Sequence, residues 1–260
     1  MKLAWRQAIC VVVLFALAAA TAHPLHGDEP LTKDGWIEQR DEQTGTQLMT
    51  REMTLYPAAE PLPALKYRLL PDEFDLVDGN AAIYYLKALG YLEQDNARSK
   101  LRALWNEAGE KAQKEGLDYD QVPPYSWRVT APEKLPLAEV KEYLHLSSFQ
   151  TDLLREAARR RTFDLDRRLW EVNDPIGYIL SEIQMLRELA RTQDLRCRVA
   201  LAESRIDDAI VILGQQFALA HHMAQDQFLV SNLVGMACAG VAWNDALYLA
   251  QHPKAPNLYW

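Results

Sequence analysis

The sequence is poor in the residues on which most catalytic and metal-binding motifs depend. It has three cysteines and six histidines in 260 residues, and they form no CxxC pair and no HExxH motif. Its 11 glycines form no P-loop, no GxGxxG sequence and no GxSxG nucleophile turn. These absences exclude the common signatures of nucleotide binding, structural zinc and activated nucleophiles. The sequence therefore indicates no cofactor.

Positive charge is scarce as well. Lys and Arg total 28 against 36 Asp and Glu, which gives a formal net charge of −8 at pH 7. Because an acidic surface repels phosphate backbones, nucleic acid is not an expected partner. The basic residues concentrate in Arg159, Arg160 and Arg161, followed by Arg167 and Arg168. This cluster predicts either a site for an anionic partner or ordinary ion pairs with nearby carboxylates.

The first 22 residues have the features of a secretory signal peptide. Lys2 and Arg6 form a positive start, Ala8 to Ala19 is an apolar run too short to span a bilayer comfortably, and Ala20-Thr21-Ala22 is a small-residue cleavage signal. We predict cleavage before His23, export to the periplasm or exterior of a bacterium, and no stable membrane insertion afterwards. An uncleaved N-terminal anchor is the alternative.

Cleavage would leave Cys197 and Cys238 as the remaining cysteines. In an oxidising compartment two cysteines on neighbouring helices can form a disulfide. Small buried thiols in a helical core are the other interpretation.

Apolar residues recur at three- and four-residue intervals over most of the chain after position 80, which predicts helices. The clearest stripes run from Ile179 to Ala200 and from Ile206 to Ala224, interrupted by Glu203-Ser204-Arg205. So short a connection predicts an antiparallel hairpin. Further helices are predicted over 81–92, 97–114, 137–146, 148–161, 228–241 and 244–251.

A weak internal repeat accompanies the hairpin. Asp208-Ala209-Ile210 recurs as Asp245-Ala246-Leu247, about 37 residues later and close to the tetratricopeptide period. The predicted fold class is all-α, with antiparallel helix pairs stacked as in tetratricopeptide (TPR) or α-solenoid proteins.

The region before these helices is interpreted differently. Residues 23–52 are polar and predict a flexible lead-in. Prolines at 57, 61, 63 and 71 forbid a helix and predict an extended strap that precedes the first helices, within a unit covering 53–122. A proline-rich loop at 123–136 then separates this unit from a helical TPR-like region, 137–260.

Several stretches carry a family resemblance. LKYRLLPDEFDLVDGNAA, LREAARRRTFDLD, ESRIDDAI, GQQFALAHHMA, LVGMACAG and the terminal APNLYW together resemble a family of uncharacterised secreted bacterial proteins that are helical and tetratricopeptide-like. The resemblance covers most of the chain from Leu65 onward and implies export and fold class. It supplies no catalytic residues. Relatives usually continue beyond NLYW, so the resemblance also implies a chain truncated at its C-terminus, and they often have proline where Asp78 stands.

Two groups of residues are candidates for a site. Tyr119, Tyr125 and Trp127 with Asp118 and Asp120 form an aromatic loop that can stack on sugar rings, or that simply attaches the loop to the body. His222 and Asp226 lie one helical turn apart and are weak metal candidates, but no third ligand has supporting spacing, so no metal is predicted.

Together these observations predict an exported helical protein that serves as a protein-interaction or scaffold module, with another envelope or secreted protein as its partner. We take Tyr125, Trp127, Arg159 and Arg160 as the candidate ligand-binding residues. The alternative function is an extracytoplasmic hydrolase or a carbohydrate-binding protein that uses the Tyr119–Trp127 loop. Enzymatic activity is the less favoured interpretation, because no catalytic constellation is visible.

Overall fold

The computed structural model describes residues 31–33, 36–41, 44–56, 67–90, 96–168, 171 and 181–257. The predicted signal peptide, positions 57–66 of the predicted strap and the last three residues lie outside this range. Within it the chain is mostly helical. The helices are α1 Ala81–Ala88, α2 Asn96–Glu115, α3 Leu137–Leu146, α4 Gln150–Ala158, α5 Ser181–Ala202, α6 Ile206–Met223 and α7 Leu229–Gln251.

The described strands are short and lie mainly near the N-terminus. β1 Leu31–Lys33, β2 Trp36–Arg40 and β3 Gln47–Thr50 form an antiparallel sheet, which the polar composition of this segment does not predict. β4 Val77–Asn80 pairs in parallel with β5 Arg160–Thr162. This second pairing ties the residues before α1 to those after α4.

The turn between α5 and α6 explains why these helices form a hairpin. Ser204 adopts a left-handed conformation with φ of 57°, its N–H donates to the carbonyl of Leu201, and the Arg205 N–H donates to the carbonyl of Ala200. This Schellman arrangement satisfies the last carbonyls of α5 and reverses the chain. Gln193 bonds Gln215, and Cys197 lies against the Ala209 carbonyl. The later residue of α5, Cys197, thus contacts the earlier residue of α6, Ala209. The two helices are therefore antiparallel, as predicted.

Helix α7 packs against both helices of this hairpin. At Gly235 a Cβ would come within 3.0 Å of the Ala220 carbonyl oxygen and 3.2 Å of the Met223 Cβ. The missing side chain therefore allows α6 and α7 to approach closely. Gln216 of α6 bonds Asp245 of α7, so these two helices are antiparallel as well.

The prediction of two helices after Phe228 is wrong, since α7 is a single helix. The sequence pattern predicts a second helix that starts at Asn244 and Asp245. In the structure both side chains are buried and bond Arg51 and Gln216 instead. No glycine or proline interrupts the backbone there. The two copies of the repeat therefore occupy positions that are not equivalent. Asp208-Ala209-Ile210 lies in the first turn of α6, whereas Asp245-Ala246-Leu247 lies near the end of α7.

The core of the described residues has three main parts. One packs the region of the α5–α6 turn against α7 around Cys197, Leu213 and Leu249. The largest part brings α1, α4, α5, α6 and α7 together around Tyr85, Leu154 and Leu186. A separate cluster joins Trp127 to α3 and α5 through Val140, Tyr143 and Val199.

Candidate functional site

The aromatic loop lies on the C-terminal half of α2. The ring of Tyr125 is 4.6 Å from that of Trp105 and 5.2 Å from that of Tyr119, measured between centroids. These three rings line a cavity of about 540 Å³ whose other walls are polar. Asp118 and Asp120 are both exposed and do not line it. The remaining lining residues are Asn106, Gly109, Glu110 and Gln113.

Trp127 does not share that cavity with Tyr125. Its side chain is 7% exposed and packs edge-on against Tyr143, with ring centroids 5.7 Å apart. It lines a neighbouring, more apolar cavity of about 310 Å³ together with Val122 and Pro123. The structure therefore uses Trp127 mainly to fix the loop to α3, while Tyr125 and Tyr119 reach the surface.

The predicted arginine cluster is not a free positive patch. Arg160 donates to Glu156, to the Tyr84 hydroxyl and to the Asp78 carbonyl. Arg159 lies 3.6 Å from Glu156, and Arg161 pairs with Glu73 and Asp78. Both Arg159 and Arg160 thus have Glu156 of α4 as an acidic neighbour.

His222 is buried between two hydrogen bonds. Its Nε2 lies 2.8 Å from the Arg160 carbonyl oxygen, and its Nδ1 lies 2.9 Å from the Tyr85 hydroxyl. Since a carbonyl can only accept, Nε2 carries the proton and Nδ1 accepts from Tyr85. Burial lowers the pKa of His222, and the neighbouring His221 lowers it further.

Asp226 belongs to a separate buried ion pair. It accepts from Arg167 Nε at 3.0 Å and from the Ser231 hydroxyl, and Arg167 also pairs with Glu182. The two weak metal candidates therefore serve different contacts. Among the described residues, no group of three His, Cys, Asp or Glu side chains is arranged to hold a metal ion.

A second buried polar cluster joins α5, α6 and α7. Arg198 Nε lies 2.7 Å from Asp194 and 3.4 Å from Asp245, and Gln216 donates to Asp245 at 2.8 Å. Burial, followed by the adjacent Asp194 carboxylate, raises the pKa of Asp245 well above its usual value. The cluster holds the inner side of α7 against the hairpin.

The two described cysteines are free thiols, and both are buried. The interpretation as core thiols is confirmed. Burial raises the pKa of Cys238 to about 11 and that of Cys197 well above its usual value. Since the thiolate is the nucleophile, neither residue is set up for covalent chemistry.

The outward side of α7 is an exposed surface that the sequence pattern does not predict. Every exposed residue of this helix is apolar. Leu229 is 74% exposed, Met236 70% and Trp243 57%. Ser231, Asn244 and Asp245, by contrast, are buried, so the polar side of the helix faces inward. We call the exposed set the α7 outer face, and it comprises Leu229, Val230, Leu233, Met236, Ala237, Gly240 and Trp243.

One signal for this face is present in the sequence. Leu229, Leu233, Met236, Gly240, Trp243 and Leu247 follow a four-then-three spacing, while other apolar residues occupy the opposite side. A helix that is apolar on nearly all sides is typically covered on all sides.

Within the described residues, α7 is also the one helix whose length and apolar composition would suffice to cross a bilayer. Length and composition are weak indicators alone, because helices in protein cores satisfy them too. The buried contacts of Asp245 with Arg198 and Gln216 hold α7 to α5 and α6, and α5 carries several charged side chains. Crossing a membrane would require those charges to enter hydrocarbon or the contacts to break.

Comparisons with protein-family models, with curated proteins and with solved structures each found no match to the chain.

Proposed function

We propose that the protein is an exported, non-catalytic helical interaction module that binds another polypeptide through the α7 outer face. The observation that carries this proposal is the inverted polarity of α7, in which each exposed residue is apolar. Contiguous exposed apolar patches on folded proteins typically mark protein interfaces.

The proposal extends to location and architecture. The N-terminal features of the sequence support export to the periplasm or exterior of a bacterium, and the family resemblance supports the same location. Short connections between α5, α6 and α7 support TPR-like stacking, in which each helix packs on its two neighbours. In such stacks an outer helix face is commonly covered by a further helix.

A helix is the expected form of the bound segment. The four-then-three spacing of Leu229, Leu233, Met236, Gly240 and Trp243 is the spacing of a helix–helix seam. None of these side chains carries charge, so the bound segment must offer a similarly apolar stripe.

A specific observation favours a second candidate function, carbohydrate binding at the Tyr119–Tyr125 cavity. Sugar rings stack on aromatic side chains, and the Asn106, Glu110 and Gln113 side chains around the cavity can bond hydroxyl groups. The exposed positions of Asp118 and Asp120 offer no enclosed carboxylate pair for hydrolysis. We therefore rank binding above catalysis at this cavity too.

Site-specific photo-crosslinking in the producing organism tests the main proposal. Benzoylphenylalanine is placed singly at Met236, at Tyr119 or at Phe74, which is 96% exposed and lies far from α7 in sequence. We expect a discrete protein adduct from position 236 and none from position 74. Adding Trp243→Glu should abolish the adduct at 236.

The other outcomes decide between the alternatives. Equal adducts at 236 and 74, or none at 236, contradict the proposed function. A glycosidase-sensitive adduct confined to position 119 would favour the carbohydrate-binding candidate instead.

A further inference from the structure

We infer that the polypeptide bound by the α7 outer face is a second copy of the same chain, which makes the protein an antiparallel homodimer through α7. The inference rests on the proposed function and names its partner. The spacing of the face, the position of its glycine, its area and its charge support it.

The apolar stripe is complementary to itself when reversed. In an antiparallel helix pair, alternate positions of the four-then-three stripe lie opposite each other. Suppose that the two copies meet with a two-fold axis that crosses α7 at the level of residue 238. Met236 then lies opposite Gly240 of the second copy. Leu233 then lies opposite its Trp243, and Leu229 opposite its Leu247. A two-fold interface requires this kind of reciprocal matching.

Gly240 provides the space that this matching requires. Among the described residues, no atom lies within 4 Å of a Cβ built at this glycine, so its backbone faces outward. By contrast, Gly235 is in close contact with α6. Within the part of the chain that the structure describes, Gly240 therefore has no packing role, and the long Met236 side chain of a second copy fits over it.

The area of the face is sufficient for association. Its large side chains are about half to three-quarters exposed, and two such faces would bury on the order of 1,200 Å², the size at which specific protein interfaces begin. The face carries no ionised group, so two copies can meet without removing a charge from water.

A lipid surface fits the face less well. Helices that lie on membranes typically carry Lys or Arg beside the apolar face, and α7 contains neither. The whole chain is also negatively charged, and anionic lipid headgroups repel such a protein.

Light scattering coupled to size exclusion measures the mass of the purified full chain. We expect twice the chain mass, reduced to the single-chain mass by Met236→Glu and unchanged by the matched control Phe74→Glu. Each variant replaces one exposed apolar residue by glutamate and leaves the rest of the chain unchanged. A difference in mass between the two variants is therefore due to the α7 outer face. Circular dichroism checks that Met236→Glu keeps its helices.

Cysteine pairing tests the orientation. Met236→Cys and Gly240→Cys are made as separate single variants, oxidised alone and as a mixture. The antiparallel match predicts covalent dimers at least tenfold more abundant in the mixture than in either sample alone.

Four outcomes overturn the inference. A single-chain mass for the unaltered protein excludes the dimer. A double mass that survives Met236→Glu, or equal cross-linking within one single variant, excludes this interface. Flotation of the unaltered chain with phosphatidylcholine vesicles that Met236→Glu abolishes assigns the face to lipid. If the purified chain has a single-chain mass but position 236 captures a different protein in cells, the homodimer fails while the proposed function stands.

Discussion

His222 shows how a side chain that resembles a metal ligand serves packing instead. Its two ring nitrogens are used by Tyr85 and by the Arg160 carbonyl, and the ring stacks on Phe163 with centroids 6.3 Å apart. The residue therefore links α6 to α1 and to β5. A protonated ring would lose the bond accepted from Tyr85 and would place a charge in the core.

The lowered pKa of His222 predicts a pH dependence of stability. In the unfolded chain His222 is protonated with the ordinary histidine pKa of 6.5. In the folded chain its pKa is lower, so protonation requires a lower pH. The contribution of neutral His222 is therefore complete above pH 6.5 and is lost as pH falls toward its folded pKa, by up to about 1.4 kcal/mol per pH unit.

Urea unfolding between pH 7.5 and 5 checks this prediction. We expect His222→Gln to be less stable at neutral pH by about 1–2 kcal/mol, because the hydrogen bonds of the ring to Tyr85 and to the Arg160 carbonyl are lost. Its free energy of unfolding should nevertheless decrease less steeply as the pH falls. His221→Gln is the control, since its side chain is exposed and its decline should match that of the unaltered chain. Parallel slopes for all three proteins would exclude His222 as the titrating group.

At the scale of elements, the two glycines of α7 have opposite surroundings. Gly235 lies against the α6 backbone, while Gly240 points into open space. An alanine at 235 must push α6 and α7 apart, whereas an alanine at 240 only improves helix propensity.

We expect Gly235→Ala to lower the free energy of unfolding by about 1–3 kcal/mol, and Gly240→Ala to raise it by up to about 1 kcal/mol. Both are measured by chemical denaturation in the Met236→Glu background, so that association does not contribute. A stabilising Gly235→Ala would contradict the close approach of α6 and α7.

Helix boundaries are the part of the fold that the sequence predicts best. The predicted helix over 137–146 coincides with α3, and the predicted 97–114 differs from α2 by one residue at each end. The first helix ends earlier than predicted, because Gly90 adopts a left-handed conformation with φ of 82° just after Leu89. Where local signals decide the limits, as for α2 and α3, one sequence is enough to place them.

The candidate site was predicted less well. Tyr125 reaches the surface as expected, but Trp127 enters a core cluster, and the Arg159–Arg161 run is paired with acidic side chains. Glu156 lies three and four residues before Arg159 and Arg160, within reach of local spacing, but spacing along the chain cannot reveal the partners of Arg161. Glu73, for example, reaches Arg161 only because β4 pairs with β5.

At the scale of the whole molecule, charge opposes self-association. The chain has a net charge of −8, while the α7 outer face is uncharged. Two copies therefore repel each other at long range but meet through apolar contacts. Salt screens the repulsion over a Debye length of about 10 Å at 0.1 M and leaves apolar burial intact.

We expect the dimer dissociation constant to fall several-fold as sodium chloride rises from roughly 0.05 to 0.5 M, since this range shortens the Debye length. Sedimentation equilibrium measures this directly, with Met236→Glu as the control that stays at single-chain mass throughout. Weaker association in high salt would indicate an interface held by ion pairs rather than by α7.

The sequence by itself determined where most of the helices lie and where the α5–α6 hairpin turns. Each of these follows from periodicity and local capping, which act over a few residues. Only the tertiary structure decided which side of α7 is covered. Because this helix is apolar on nearly all sides, its periodicity favours no orientation. The buried bonds of Asp245 and Asn244 to distant residues turn its polar side inward and leave the stripe from Leu229 to Trp243 exposed.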